Sequence, residues 1–240
     1  MPRPTDADAL AEPAILWSGP AAGPVLLLAH GAGAAMDSDW MNTVAALLAD
    51  RGVRLARFEF AYMAARRTGS RKPPPKAETL MGEYRAAVAR VRFELATAPD
   101  ASPRLVIGGK SMGGRVASLV ADDLRDAGEV SGLVCLGYPF HPPGSPEKLR
   151  TGHLLALRTP ALICQGERDP FGTRDEVATY GLPSGIRMVW LGDGEHEFKP
   201  RVKVSGRTHG QNLAEAADLV ARFVREVGYD GGGESQGDVA

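Results

Sequence analysis

Leu105-Val106-Ile107-Gly108-Gly109-Lys110-Ser111-Met112-Gly113-Gly114-Arg115-Val116 is the stretch that decides the fold of this chain. An apolar run ends in glycine, a serine follows, and a helical pattern begins at Met112. A serine at a sharp strand-to-helix turn occupies strained backbone space. Only very small residues two positions before and two after let strand and helix approach closely enough to expose its hydroxyl. Gly109 and Gly113 fill those positions, so the segment reads as a nucleophile elbow with Ser111 as candidate nucleophile. In a chain with 29 glycines the spacing alone is a weak signal, and the flanking strand and helix supply the context.

Outward from the elbow, short apolar runs bounded by glycine or proline recur at residues 25–29, 53–60, 105–108, 132–137, 161–165 and 188–191. Continuous runs of this length are what strands buried on both faces look like. A further strand at Ile15-Leu16-Trp17 is weakly patterned. Helical patterns fall between the runs, at residues 39–50, 78–98, 112–127, 174–180 and 211–227, with a short helix expected around 147–155. In the third of these, Val116, Leu119, Val120 and Leu124 repeat at three- and four-residue spacing, which marks one packed face. Alternating strands and helices predict an α/β fold: a mainly parallel central sheet with helices on both faces. The segment between the fourth and fifth major strands is too short for a large cap domain. One domain over residues 1–228 is expected, followed by a disordered Gly-rich tail over 229–240.

The composition narrows the function classes. At 44% hydrophobic and 24% charged residues, 240 residues can bury a large core. Lys and Arg total 28 against 29 Asp and Glu, so no global field favours a nucleic acid. No run of about 18 apolar residues is present to span a bilayer, and the first residues lack the apolar core of a signal peptide. A cytoplasmic protein without membrane or nucleic-acid partners is the expectation; the sequence does not reveal the oligomeric state. Cys135 and Cys164 each lie in an apolar strand and are expected to stay free thiols, with no disulfide, metal or cofactor.

A serine hydroxyl is a poor nucleophile until a base takes its proton, and the base must be oriented by a carboxylate. Gly166-Glu167-Arg168-Asp169-Pro170-Phe171-Gly172 leaves the C-terminal end of a strand and offers Asp169, whose direction is restricted by the following proline. Glu167 and Asp175 are the alternatives. Gly192-Asp193-Gly194-Glu195-His196-Glu197-Phe198 follows the next strand and offers His196, with His209 as fallback. The order Ser111, Asp169, His196 is the one expected for this elbow type. His141 and His153 precede the acid and read as loop or rim residues. The developing oxyanion needs two N–H donors, each worth about 3 kcal/mol in such sites. Met112 follows the nucleophile and supplies one; Ala32, or next Gly33, in Ala29-His30-Gly31-Ala32-Gly33-Ala34 supplies the other. His30 is then a loop-organising residue.

These four segments together resemble the α/β-hydrolase superfamily. They are most similar to its branch of predicted hydrolases that also contains the testis-expressed hydrolase-like proteins and the hydrolase-like domain of a subunit of the NSL histone-acetylation complex. The similarity runs from about Ile15 to Val227, and includes Phe58-Glu59-Phe60-Ala61-Tyr62-Met63, Lys72-Pro73-Pro74-Pro75 and Gly137-Tyr138-Pro139-Phe140-His141-Pro142-Pro143. Ala61 stands where relatives carry proline, a departure that bears on loop rigidity. The resemblance implies a hydrolase fold, whereas branch members are largely of undefined substrate and some serve as scaffolds. The expectation is a serine hydrolase acting on a carboxylic ester or thioester, with peptidase and dienelactone-hydrolase-like chemistry open. The alternative is a catalytically weak binding or scaffold module.

Two charge features remain. Arg66, Arg67, Arg71, Lys72 and Lys76 form a run of cations with no acid between Tyr62 and Ala77. This is either a solvated face or a rim that recognises an anionic substrate or acidic partner. Glu59 and Lys110 are charges near strand ends in apolar surroundings, where a pair beneath the nucleophile is one reading and separate fates the other.

Overall fold

A computed structural model describes residues 13–70, 72–97 and 104–228. The expected tail over 229–240 and Arg71 lie outside them. Seven strands form one sheet: β1 (Leu16–Ser18), β2 (Val25–Ala29), β3 (Arg54–Phe58), β4 (Leu105–Lys110), β5 (Gly132–Leu136), β6 (Ala161–Gly166) and β7 (Ile186–Leu191). Their order across the sheet is β1-β3-β2-β4-β5-β6-β7, with β1 antiparallel to β3 and every other pairing parallel. β4, the strand that ends at the elbow, is therefore in the middle.

The apolar runs are continuous because these strands face a helix layer on each side. All five residues of β2 are fully buried. Val25, Leu27 and Ala29 pack with α3 (Met81–Ala96) and α4 (Met112–Asp126) on one face, through Tyr84, Val88, Val91, Val116 and Val120. Leu26 and Leu28 pack on the other face with α1 (Asp39–Ala49) and α7 (His209–Gly228), through Met41, Leu48, Leu213, Val220 and Val224. Full burial of a side chain of this size is worth about 1.5–3 kcal/mol. Val116, Val120 and Leu124 turn inward as their spacing requires, with Leu119 partly buried against the same core.

Element ends moved where local bonding intervened. β4 runs on to Lys110 because Gly109 and Lys110 pair with Cys135 and Leu136. α7 begins at His209, two residues before the expected start, because Thr208 and Gln211 exchange side-chain to main-chain bonds in a capping box. The short α5 (Arg174–Val177) has a like box at Thr173 and Glu176, then tightens into i→i−3 bonds at Thr179 and Tyr180 and stops short of residue 180. The remaining short helices are α2 (Ala61–Ala64) and α6 (Val202–Ser205).

The helix expected around 147–155 does not form. Only a 3₁₀ turn over Leu154–Ala156 is present. Arg150 N–H donates to Phe140 O at 2.7 Å, which removes a donor that a helix would need, and Leu149 and Leu155 are about half exposed. Nothing in this segment forms a large cap over the sheet. Among the described residues, no helix is long and apolar enough to cross a membrane. Cys135 and Cys164 are buried free thiols whose ionisation burial pushes upward, to about 12 for Cys164.

His153, expected as a loop or rim residue, lies in the turn before the 3₁₀ segment and packs half-buried against α4 and the loop after β5. Its Nε2 lies 2.8 Å from Ser118 Oγ and 3.3 Å from Tyr138 Oη. Burial, with nearby Arg115, pushes its pKa from 6.5 down to about 4. The unfolded chain takes up this proton first, so His153 contributes a loss of stability as pH falls through 6.5 that levels off below about 4. His153→Gln is expected to flatten that part of the profile of urea midpoint against pH; an unchanged slope between pH 6.5 and 4.5 would assign the pH dependence to other groups.

Candidate active site

The elbow has the geometry its glycines demand. Ser111 sits at φ 50°, ψ −115°, a left-handed conformation that strains any residue with a Cβ. A Cβ at position 109 would fall 2.3 Å from Gly113 C, and one at 113 would fall 2.5 Å from His30 O and 2.6 Å from Ala29 O. Strand, helix and the β2 loop thus meet main chain to main chain. Ser111 N–H donates to Leu136 O at 3.0 Å, which ties the turn to β5.

The structure brings Ser111, His196 and Asp169 together. Ser111 Oγ lies 2.9 Å from His196 Nε2, and His196 Nδ1 lies 2.8 Å from Asp169 Oδ2. Asp169 is fully buried at the end of β6, where Oδ1 accepts Phe171 N–H at 2.9 Å and Oδ2 also accepts from Gln165 Nε2 at 2.9 Å. Gln165 is itself held by Tyr138, accepting its N–H at 2.7 Å and donating to its carbonyl at 3.1 Å. The phenyl ring of Phe171 packs on the imidazole with centroids 4.2 Å apart. The other acids lie elsewhere: Glu167 accepts Asp193 N–H and pairs with Arg174, while Asp175 sits in the first turn of α5.

The histidine loop is pinned along its main chain. A Cβ on Gly166 would meet Glu195 O at 2.4 Å and Gly194 O at 2.5 Å, so this loop lies directly over the end of β6. Glu195 Oε1 accepts the N–H groups of Glu197 and Lys199, and Asn212 Nδ2 donates to Phe198 O at 2.8 Å. His209 is placed on Glu197 O, at 2.8 Å from Nε2, and serves the loop instead of facing Ser111. His30 is fully buried. It accepts Phe60 N–H at Nε2 and lies 2.6 Å from Gly31 O at Nδ1, so it joins the loops after β2 and β3. Burial lowers its pKa, in keeping with a neutral ring that accepts at one nitrogen and donates at the other.

A cavity of about 250 Å³ opens beside Ser111, lined by residues 31–34 together with Trp40, Met41, Phe171 and His196, and with Lys110 and Glu197 at its wall. Met112 opens α4, and a helix has no internal acceptor for its first N–H groups. Ala32 is held by Tyr62 Oη, which donates to its carbonyl at 3.1 Å. Ser111 and residues 31–34 therefore border one small space.

Of the described residues of the basic run, Arg66, Arg67, Lys72 and Lys76, none lines this cavity. Arg67 pairs with Glu59 and Asp37 at 2.7 and 2.8 Å, and Arg66 stands over the Tyr62 ring at 5.5 Å. Lys72 and Lys76 are exposed. Glu59 and Lys110 do not pair: Glu59 is taken by Arg67 and by Met36 N–H. Lys110 turns the other way, and its Nζ donates to His196 O at 2.9 Å and lies 3.3 Å from Glu197 Oε1. Sequence reasoning missed Gln165, Phe171 and Trp40 as parts of this arrangement. Gln165 carried a usable signal, a polar side chain closing an otherwise apolar strand.

An open, mainly parallel sheet with a strained serine turn at the end of its middle strand is the architecture of an α/β hydrolase. The chain belongs to that family: the alpha/beta hydrolase domain model matches residues 22–225. Membership and fold support hydrolase chemistry as the coarse function. Similar solved structures include a dienelactone hydrolase from Anabaena variabilis, with 20% identity, a TM-score of 0.65, and 90% of this chain and 93% of that chain covered. A Xanthomonas campestris α/β serine hydrolase described as lacking a lid has 19% identity and a TM-score of 0.64, with 89% and 96% covered. The esterase domain of a Rhodothermus marinus protein has 18% identity and a TM-score of 0.57, with 88% and 91% covered. These likenesses are likenesses of fold.

Proposed function

We propose that the protein is a serine hydrolase acting on a carboxylic ester or thioester. The observation that carries this reading is the continuous chain from Ser111 Oγ through His196 to buried Asp169, at 2.9 and 2.8 Å. Ser111 Oγ attacks the acyl carbon as His196 Nε2 takes its proton, and Asp169 holds the ring with Nδ1–H directed at the carboxylate. Met112 N–H and Ala32 N–H, with Gly33 as the neighbouring donor, receive the oxyanion. Protonated His196 then passes its proton to the departing alcohol or thiol. Water, deprotonated by the same nitrogen, releases the acid from the acyl-enzyme and restores Ser111.

The cavity suits a small acyl group against Trp40, Met41 and Phe171. The basic run acts indirectly: Arg67 through Asp37, and Arg66 through Tyr62, steady the loop that bears Ala32. A pure scaffold would not need Ser111 in a strained turn aligned on a buried acid. Placement in the branch with the testis-expressed hydrolase-like proteins rests on the sequence motifs, and the esterase and dienelactone hydrolase neighbours agree in reaction class. Treatment with a fluorophosphonate probe, followed by peptide mapping, is expected to find the phosphonyl group on Ser111; a protein that stays unmodified at Ser111 would sink the reading.

A further inference from the structure

Lys110 precedes the serine at the end of β4 and is 5% exposed. Its Nζ donates to His196 O at 2.9 Å, lies 3.3 Å from Glu197 Oε1, and stands over the Trp40 ring at 5.4 Å from the centroid. Position 137 leaves the space for this contact: a Cβ there would fall 3.0 Å from His196 O and 3.1 Å from Lys110 Nζ. Trp40 also donates from Nε1 to Glu197 O at 3.2 Å, so the ammonium and the indole hold successive carbonyls of the histidine loop.

We propose that Lys110 is a positioning residue: it tethers the main chain of His196 to the strand that carries Ser111, and so sets the distance between base and nucleophile. The proposal rests on the reading of Ser111, His196 and Asp169 given above. Only one residue link separates Lys110 from Ser111, so its hydrogen bond couples the elbow to a loop 85 positions further along the chain. A displacement of about 1 Å in such a geometry can lower a rate about 100-fold. The pairing with Glu197 has its own part. An imidazolium forms at His196 during the reaction, and an ammonium left uncompensated nearby would oppose it.

Charge strengthens the tether, since a hydrogen bond from an ionised donor is about twice as strong as a neutral one. Burial lowers the pKa of Lys110 from that of an exposed lysine, against the opposing pull of Glu197, Asp169 and Glu195. Those three carboxylates and His196 face it among the described residues. The ammonium is therefore lost at a lower pH than in an exposed lysine, and activity is expected to fall on the alkaline side as it is lost.

Lys110→Met keeps an apolar stem of similar length and removes the donor. It is expected to lower kcat for a neutral ester by about 10- to 100-fold, to leave KM within about twofold, and to slow fluorophosphonate labelling by the same factor as kcat. Glu197→Gln is expected to move the alkaline limb of the kcat profile to lower pH, because removal of the carboxylate eases loss of the Lys110 proton; in Lys110→Met that limb no longer responds to Glu197→Gln. A raised KM with unchanged kcat in Lys110→Met would make Lys110 a substrate contact and overturn the proposal, as would labelling at the wild-type rate. Should Lys110→Met fail to fold, by circular dichroism, an unmoved alkaline limb in Glu197→Gln overturns it and a shifted one sustains it. A wild-type protein unlabelled at Ser111 would instead bring down the hydrolase reading itself.

Discussion

Ser111→Ala is expected to lose fluorophosphonate labelling and to lower ester turnover by about four to six orders of magnitude, with the thermal midpoint moved by no more than about 2 °C. The two readouts separate because the substitution removes one hydroxyl and leaves everything that makes the turn costly. Alanine still has a Cβ at φ 50°, so the strain is unchanged, and the main-chain contacts of Gly109 and Gly113 are untouched. The one lost bond is to His196 at the cavity wall. Turnover that survives the substitution would require another nucleophile and end the proposed mechanism.

Asp169→Asn is expected to lower kcat by about three to four orders of magnitude at saturating substrate, with the fold retained by circular dichroism. The reason lies in the three donors that converge on the carboxylate. Oδ2 accepts from His196 and Gln165, and Oδ1 from Phe171 N–H. An amide cannot satisfy both ends. With its NH₂ toward Phe171, two donors meet head-on. With its NH₂ toward His196, it confronts the Gln165 amide and favours the tautomer with hydrogen on Nε2, which cannot take a proton from Ser111. Loss of activity no greater than about tenfold would mean that the acid does not orient the base.

The strands could be read because both faces of the sheet are covered: in residues 25–29 every side chain is buried, so the run is uniformly apolar. The elbow could be read because Gly109 answers to main chain only four and five residues on, and because the apolar strand before the serine and the helical pattern after it flank the turn directly. Residues 147–155 misled because two of their three leucines, Leu149 and Leu155, remain exposed while the main chain bonds to Phe140. The partner of Lys110 could not be read at all. Glu59 and Glu197 are both acids near strand ends, and the choice between them depends on Arg67 taking the first and on the histidine loop crossing β6. Gln165 was within reach, because a polar residue that ends a buried strand must find partners there.

The sheet order has a consequence for how the chain is made. Val25 is paired on one side with Arg54 and on the other with Leu105, so its second ladder waits until the ribosome has passed residue 105. The elbow can then form, but the imidazole that it needs is still unmade. α7, which covers Leu26, Leu28, Val106 and Val134, is the last described element to emerge. Until it docks, the part of that face not covered by α1 stands open to water and to other nascent chains. Between synthesis of β4 and release of α7 the serine can thus be in its turn while His196 is still to be joined to it and the helix that completes this face of the sheet is still to dock.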